Sequence, residues 1–341
     1  MPPVSVFVVS PEPPFSLLAG PLAPQAQRRQ YALSTWQSGE LTVAASEISD
    51  VTWLSVGMCW LVLSERGQPP WAGFVAPGDL PYQASTVTVR LVGPGEALLG
   101  AAAAPRLAAG RRAVRQVVLE ALLGSQVLGV SPGTLSSSAS VEVNSEMETV
   151  QQFIESVAER SGSDWLEETT FDGDRVGFRL HVGEIVHERQ LVIGGEEIQS
   201  GVIRSRPVVD QVEVQARATG AVSTAERPEP TASRVRSFAI GPAASRVLRL
   251  VEHRASGFVA EQATAKYLSA ARAAQEIAAT LDLTSSGVQA LRVGDLVRLQ
   301  VADWLNGKAV DELVHVHSLE PHEEVDEMEA IFHLGVHGAG S

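Results

Sequence analysis

Between Leu291 and Val301 the sequence LRVGDLVRLQV puts Val293, Val297, Leu299 and Val301 in one register and Arg292, Arg298 and Gln300 in the other. A period of two fits a strand with one buried face, not a helix. Gly294-Asp295 falls where a bulge or tight turn would bend that strand. VHVHSLEP and MEAIFHLGV follow as further apolar runs. Before them, Val259, Ala263, Tyr267, Ala270, Ala274 and Ile277 share one stripe, which predicts a long Ala-rich helix over Phe258 to Ala279. The last eighty residues therefore read as a helix feeding a β unit, with no catalytic signature between them.

The first hundred residues repeat the theme. ELTVAAS, MCWLVLSE, WAGFVAP and STVTVRLV are short strand-like runs punctuated by Gly and Pro, and Arg66-Gly67-Gln68-Pro69-Pro70 reads as a hairpin connection. The Pro-rich segment from Pro11 to Pro24 is expected to be an extended loop. The spacing of Val114, Val117, Val118, Ala121 and Leu122 predicts a helix over Arg111 to Leu123, with Gly124 as a left-handed stop. Ser131 to Ser140 is expected to be a polar linker and a domain boundary. Ser145 and Glu148 fit a capping box ahead of Val150, Phe153, Ile154 and Val157 on one helix face. Asp172-Gly173-Asp174, between Trp165–Thr170 and Val176–Val182, is a hairpin signal. These pieces make a helix-plus-hairpin module of about sixty residues, small enough to need its neighbours. Val208 to Ala216 is a further expected strand, and Gly220 to Ser233 an exposed loop.

Charge and composition remove several functions. The 341 residues carry 26 Lys and Arg against 40 Asp and Glu, a formal net charge of −14. That balance opposes a nucleic-acid footprint or docking on anionic lipid. Aromatic content of 5% leaves Val, Leu and Ala to build the cores. The single cysteine, Cys59, excludes an intrachain disulfide and sits in an apolar run as a small hydrophobe. MPPVSVFVV has no positive n-region, the first basic residue is Arg28, and no apolar run is long enough to span a bilayer, so assembly in a cytoplasm is expected.

No cluster argues for chemistry. His315 and His317 share one face of VHVHS and could meet a metal with His322 and Glu323, but a half-exposed strand explains them without one. Gly93-Pro94-Gly95 with Gly100 lacks the ending of a phosphate loop and reads as a turn before a short helix. Arg106, Arg111, Arg112 and Arg115 read as a solvated basic face at a helix start. Asp172 and Asp174 are hairpin residues before they are a carboxylate pair. No catalytic, cofactor-binding or metal-binding residue is assigned, and no cofactor is expected. The acidic run Glu320 to Glu329 is expected to be a loop, which in a pore would keep a polyanion from sticking.

Taken in order, the pieces resemble the hub, or tail-tip, proteins of long-tailed and contractile bacteriophages. GELTVAA, LSVGMCWLVLSERGQPPWAGFVAP and STVTVRLVGPGEALL match the family's first tube-type barrel, with Trp71-Ala72-Gly73-Phe74-Val75 as its aromatic-x-Gly-x-Val strand. ETVQQFIESVAERSGSDWLEETTFDGDRVGFRLHVGE is similar to its helix-and-hairpin insert, and LRVGDLVRLQV with VHVHSLEP to its second barrel. The resemblance implies a mainly β chain with an α+β insert: two antiparallel tube-type barrels, at 1–130 and 206–341, around a module at 141–205. It further implies a structural protein of the virion tail tip and not an enzyme. A homotrimer would then close or continue the tail tube as a pseudo-sixfold ring. Its implied partners are the distal tail ring, the tape-measure protein and other tail-tip proteins. DNA is met only in passage through the lumen, and no membrane is bound by this chain alone. A β-rich carbohydrate-binding adhesion module and a tail-associated peptidoglycan hydrolase are the alternatives.

Overall fold

The computed structural model describes residues 4–47, 59–65, 68–75, 85–125, 127, 129–143, 149–205, 211–216, 222–226, 247–252, 275–305, 308–322 and 325–334. The chain is mainly β. One seven-stranded sheet runs in the order Leu17–Leu22, Ser5–Val9, Trp60–Ser64, Trp71–Val75, Thr86–Val92, Ser38–Ala44, Pro24–Arg29. Its two outermost strands are consecutive in the chain and separated by Ala23 alone. The sheet's ends therefore meet covalently, and the sheet wraps a core that includes Val6, Leu41, Leu61, Leu63, Trp71, Val89 and Leu91. From Leu17 onward the segment expected as a Pro-rich loop is thus strand, apart from Ala23, while Pro11 to Phe15 is not. Its main chain pairs with Ser5–Val9 and Ser38–Ala44, while most of its side chains are at least partly exposed, so it carries no apolar alternation. Trp71 is fully buried against Gly39 and Gly73, where an added Cβ would lie 2.9 and 2.7 Å from the indole. The glycine of the Trp-x-Gly run is there to make room for that ring.

A second sheet runs in the order His187–Gly194, Asp295–Leu305, Lys308–His322, Glu327–Leu334, Gln275–Asp282, Ile198–Ser205. Again the outermost strands are consecutive, joined by the 3-10 turn Gly195–Glu197. Val297, Leu299, Val314, Val316 and Phe332 fill its interior, as the alternation in Leu291–Val301 requires. Gly294, at φ +89°, turns the chain into the strand that begins at Asp295. The helix expected over Phe258 to Ala279 lies outside the described residues up to 274. From Gln275 onward the chain is a strand, not a helix, held between Ile198–Ser205 and Glu327–Leu334. The described part of the acidic run is mostly strand, with a turn at Val325-Asp326. Glu320 and His322 end one strand, Glu327 and Glu329 begin the next, and they pair across the ladder. Outward positions of a half-buried strand tolerate carboxylates, which hid the strand in the sequence.

The two sheets repeat one topology. In each, a three-strand meander is followed by an earlier strand and then by a still earlier one. Trp60–Ser64, Trp71–Val75, Thr86–Val92, Ser38–Ala44 and Pro24–Arg29 correspond to Asp295–Leu305, Lys308–His322, Glu327–Leu334, Gln275–Asp282 and Ile198–Ser205. Every neighbouring pair in both series is antiparallel.

Between the barrels sits an α+β module. Its sheet has the order Val130–Leu135, Val176–Gly183, Asp164–Phe171, and two helices, α1 (Val114–Gly124) and α2 (Val150–Ser161), pack with it in one core. The Asp-Gly hairpin is present, with Gly173 at φ +101°. The expected start of α1 is corrected: Arg111 to Ala113 form a strand paired with Ser140–Val143, and that ladder claims their main chain. Gly124 is the last helical residue, and right-handed Ser125 caps the helix. Ser131 to Ser140 is not a plain linker. Val130–Leu135 adds parallel to Val176–Gly183 as an edge strand whose polar side chains face outward. The capping box expected at Ser145 and Glu148 lies outside the described residues. The observed box is one turn later, Thr149 with Gln152, and left-handed Gly162 ends α2. By pairing and core, α1 belongs to this module and His187–Ser205 to the second sheet, a different division from one at 130 and 205.

A small third sheet joins Gln211–Ala216, antiparallel to Val222–Glu226 and parallel to Val247–Glu252. Part of the loop expected at 220–233 is therefore strand, and the rest lies outside the described residues. Among the described residues no helix is long and apolar enough to cross a membrane.

Candidate functional site

The three units meet in the segment between two first-barrel strands, Pro24–Arg29 and Ser38–Ala44. Tyr31–Ala32 adds two residues of antiparallel pairing to the long strand Lys308–His322, and Leu33 N donates to His317 O at 3.0 Å. Leu33 is fully buried in the core of the second barrel. The chain then turns to the module: Ser34 N donates to Trp165 O at 2.9 Å, and Ser34 Oγ donates to Asp164 Oδ1 at 2.7 Å. Four residues, Tyr31 to Ser34, thus tie both barrels and the module together.

Glu167 anchors the far end of this segment. Its carboxylate accepts the Gln37 backbone N–H at 2.7 Å and that of Gly95, and Gln37 Nε2 donates to Glu167 O at 2.9 Å. Burial pushes the Glu167 carboxyl up to about 7, against the two backbone hydrogen bonds that favour the charged form. An acid whose folded pKa lies above its unfolded value of 4.5 is protonated in the fold where the free chain has already ionised. Its contribution is complete below about pH 4.5 and is lost as pH rises through about 7, a change on the order of 3 kcal/mol. The wild-type stability minus that of Glu167→Gln is therefore expected to fall between about pH 5 and about pH 7.5, read from urea midpoints; a flat difference would contradict this account.

Three more charged groups are buried nearby. Arg29 Nη2 lies 2.7 Å from Glu65 Oε2, with both side chains almost wholly buried. Asp295, with no exposed surface, accepts the Arg292 N–H at 2.8 Å and sits 3.0 Å from Arg189 Nε. Burial raises the Asp295 carboxyl while Arg292, Arg189 and His187 oppose the rise. Arg29, Glu65, Glu167 and Arg189 help line a cavity of about 510 Å³ between the three units. No local pattern in the sequence marks these residues, because their partners lie tens to hundreds of positions away.

The residues singled out by sequence do not converge. Val314 and Val316 face the core while His315 and His317 both neighbour His333, as the alternation requires, and the register shifts only between Val316 and Ser318. Buried His315 places Nε2 3.0 Å from Ile185 O, whereas His317 stacks on His333 with centroids 4.0 Å apart. His322, at the strand's end, lies 3.6 and 3.7 Å from Glu320 and Glu329, and Glu323 is outside the described residues. Among the described residues no group of three His, Cys, Asp or Glu side chains could hold a metal ion. Asp172 Oδ1 accepts the N–H groups of Asp174 and Arg175 at 2.9 and 2.7 Å, which holds its carboxyl below the ordinary range and makes it a turn residue. Gly93-Pro94-Gly95 leads into a single π-helical turn, Gly95–Leu99, and Gly95 lets Trp36 and Glu167 approach its main chain. Arg106, Arg111 and Arg115 are exposed, and Arg112 pairs with Glu120. Cys59 is buried, its thiol pushed up to about 12 by desolvation. Glu320 pairs with Arg28 of the first barrel, a link between the barrels and not a free acidic loop.

No protein-family model matches the chain, and no curated protein does. Solved structures do match. The 43 kDa tail protein of prophage MuSo2 from Shewanella oneidensis superposes with a TM-score of 0.63 at 13% identity, over 97% of this chain and 98% of that one. A tail protein from Neisseria meningitidis MC58 gives 0.61 at 14%, over 97% and 96%. The E. coli c3393 protein, a type VI secretion component described as similar to the T4 tail proteins gp27 and gp5, gives 0.54 at 13%, over 99% and 75%. The fold is similar to that of prophage tail proteins, across nearly the whole chain.

Proposed function

We propose that this chain is a structural hub of a phage-type tail tip. Three copies would form a ring with two barrels each, giving six similar β units about the tube axis. The ring would close or continue a hexameric tail tube, contact a distal tail ring, tape-measure protein and other tip proteins, and let DNA pass through its lumen. The observation that carries this reading is the repeated five-strand order in two sheets of one chain, since a trimer with two equivalent barrels per chain matches sixfold symmetry with threefold contacts. The tail-protein fold supports it independently. On this reading the chain works in the virion, is assembled in the host cytoplasm, and divides by pairing into a first barrel, a module from about 93 to 183 and a second barrel.

Mass photometry and negative-stain imaging of the purified protein test the proposal. Particles of three times the protomer mass with ring-shaped, pseudo-sixfold projections are the expected result. A monomer at every concentration and ionic strength, with no ring, would overturn it. Glycan binding or peptidoglycan cleavage by that monomer would move the assignment to the adhesin or hydrolase class.

A further inference from the structure

We propose that the outer face of Ile198–Ser205, Gln275–Asp282 and Glu327–Leu334 receives the first barrel of a second copy, repeating between chains the barrel–barrel contact made within each chain. This rests on the trimeric reading above and names the surface that closes the ring. The contact within the chain supplies the template. The strands Lys308–His322 and Glu327–Leu334 of the second barrel meet, at their shared end, the outer face of Pro24–Arg29, Ser38–Ala44 and Thr86–Val92. There Glu320 pairs with Arg28, and Ala26, Thr42 and Thr88 share a cleft with His322 and Val325.

The receiving face occurs twice, in the same register. Across three neighbouring strands of the first barrel, Ala26, Thr42 and Thr88 form a row of short uncharged side chains, and Arg28, Glu40 and Arg90 form a second row. Across the corresponding strands of the second barrel, Val202, Ala278 and Ile331 form the uncharged row, and Arg204, Glu276 and His333 the polar one. In both barrels the polar row lies two residues forward on the outer strands and two back on the middle one. Between the rows, Leu41 and Val89 point into one core and Ile277 and Phe332 into the other, so the rows lie on the outside of each barrel. The first barrel's face is met by the second barrel of its own chain. The same face of the second barrel presents Val202 at 59% exposure and the Arg204 side chain at 57%. The strand end that fits it belongs to Trp71–Val75 and Thr86–Val92, the counterparts of Lys308–His322 and Glu327–Leu334. A face on one barrel and a strand end on another make a heterologous contact, which closes into a ring. Three chains then make three such contacts within chains and three between them.

Mass photometry of the full-length protein and two variants tests the surface. Val202→Glu puts a carboxylate into the uncharged row and is expected to weaken association at least about tenfold. Leu123→Glu, at a 68% exposed position on α1, is expected to associate within about twofold of wild type. A ring that survives Val202→Glu, or that Leu123→Glu weakens equally, overturns this inference and leaves the hub reading standing. A wild type that is monomeric throughout overturns both. Hydroxyl-radical footprinting of the wild-type ring needs no variant. Corrected for intrinsic reactivity, Val202 is expected to label at least about threefold more slowly than Leu123, although the two are similarly exposed in the single chain. Equal labelling in the ring overturns the proposal.

Discussion

Replacing Trp60 by alanine is expected to destabilise the protein by about 3–5 kcal/mol and to loosen the module from the first barrel. Trp60 has no exposed surface although its side chain points away from the barrel interior. Cys59, Leu61 and Leu63 face inward on the same strand, while Trp60 and Val62 face a second core shared with Val176 and Phe178 of the module. The Trp60 ring lies 4.5 Å from Phe178 and 5.0 Å from Phe74, centroid to centroid, with Phe15 at 6.1 Å. Truncation removes the only large side chain from the first barrel's Trp60–Ser64 strand that fills this seam, and the aromatic contacts add about 0.5–1.5 kcal/mol per pair beyond buried area. Trp60→Phe should cost less, about 1–2 kcal/mol, because it keeps a ring and deletes an indole N–H that has no hydrogen-bond partner. Chemical denaturation measures both. A loss below about 1 kcal/mol for the alanine variant would show that the module does not depend on this seam.

That seam was legible in one respect. MCWLVL is an unbroken apolar run, the mark of a strand buried on both faces, whereas LRVGDLVRLQV alternates and is buried on one. The meanders, the Asp-Gly hairpin and the two helix faces were equally plain, because periodicity and turn chemistry are local. What the sequence concealed was set by distant partners. Leu17–Leu22 and Val130–Leu135 are edge strands held by main-chain pairing, so their side chains need no pattern. Gln275 to Ala279 reads in sequence as the end of a helix whose apolar stripe reaches Ile277, yet two flanking strands pair it into the sheet, and tertiary pairing overrides a weak local preference. Glu167 sits in DWLEETTF on the same strand face as Trp165 and Thr169, a faint hint of burial that only the contact with Gln37 and Gly95 explains.

Leu33→Ala tests whether the two barrels behave as one folding unit. The side chain comes from a segment between first-barrel strands but is fully buried in the core of the second barrel, so its truncation is expected to cost about 2–5 kcal/mol. The larger consequence concerns cooperativity. Tyr31–Ala32 contributes only two residues of pairing to the Lys308–His322 strand, and Arg28–Glu320 is an ion pair whose arginine is exposed. Exposed ion pairs contribute about 0–1 kcal/mol, too little to couple two domains. With Leu33 intact, the second barrel cannot unfold without exposing a residue that the first barrel's chain delivers. With alanine in its place, calorimetry is expected to resolve two transitions where wild type shows one, the lower belonging to the second barrel. Leu18→Ala is the matched control: that side chain is 60% exposed, and its loss should shift stability by no more than about 0.5 kcal/mol. A single unchanged transition in Leu33→Ala would mean that the barrels are coupled through the module instead, by way of Glu167 and the Trp60 seam.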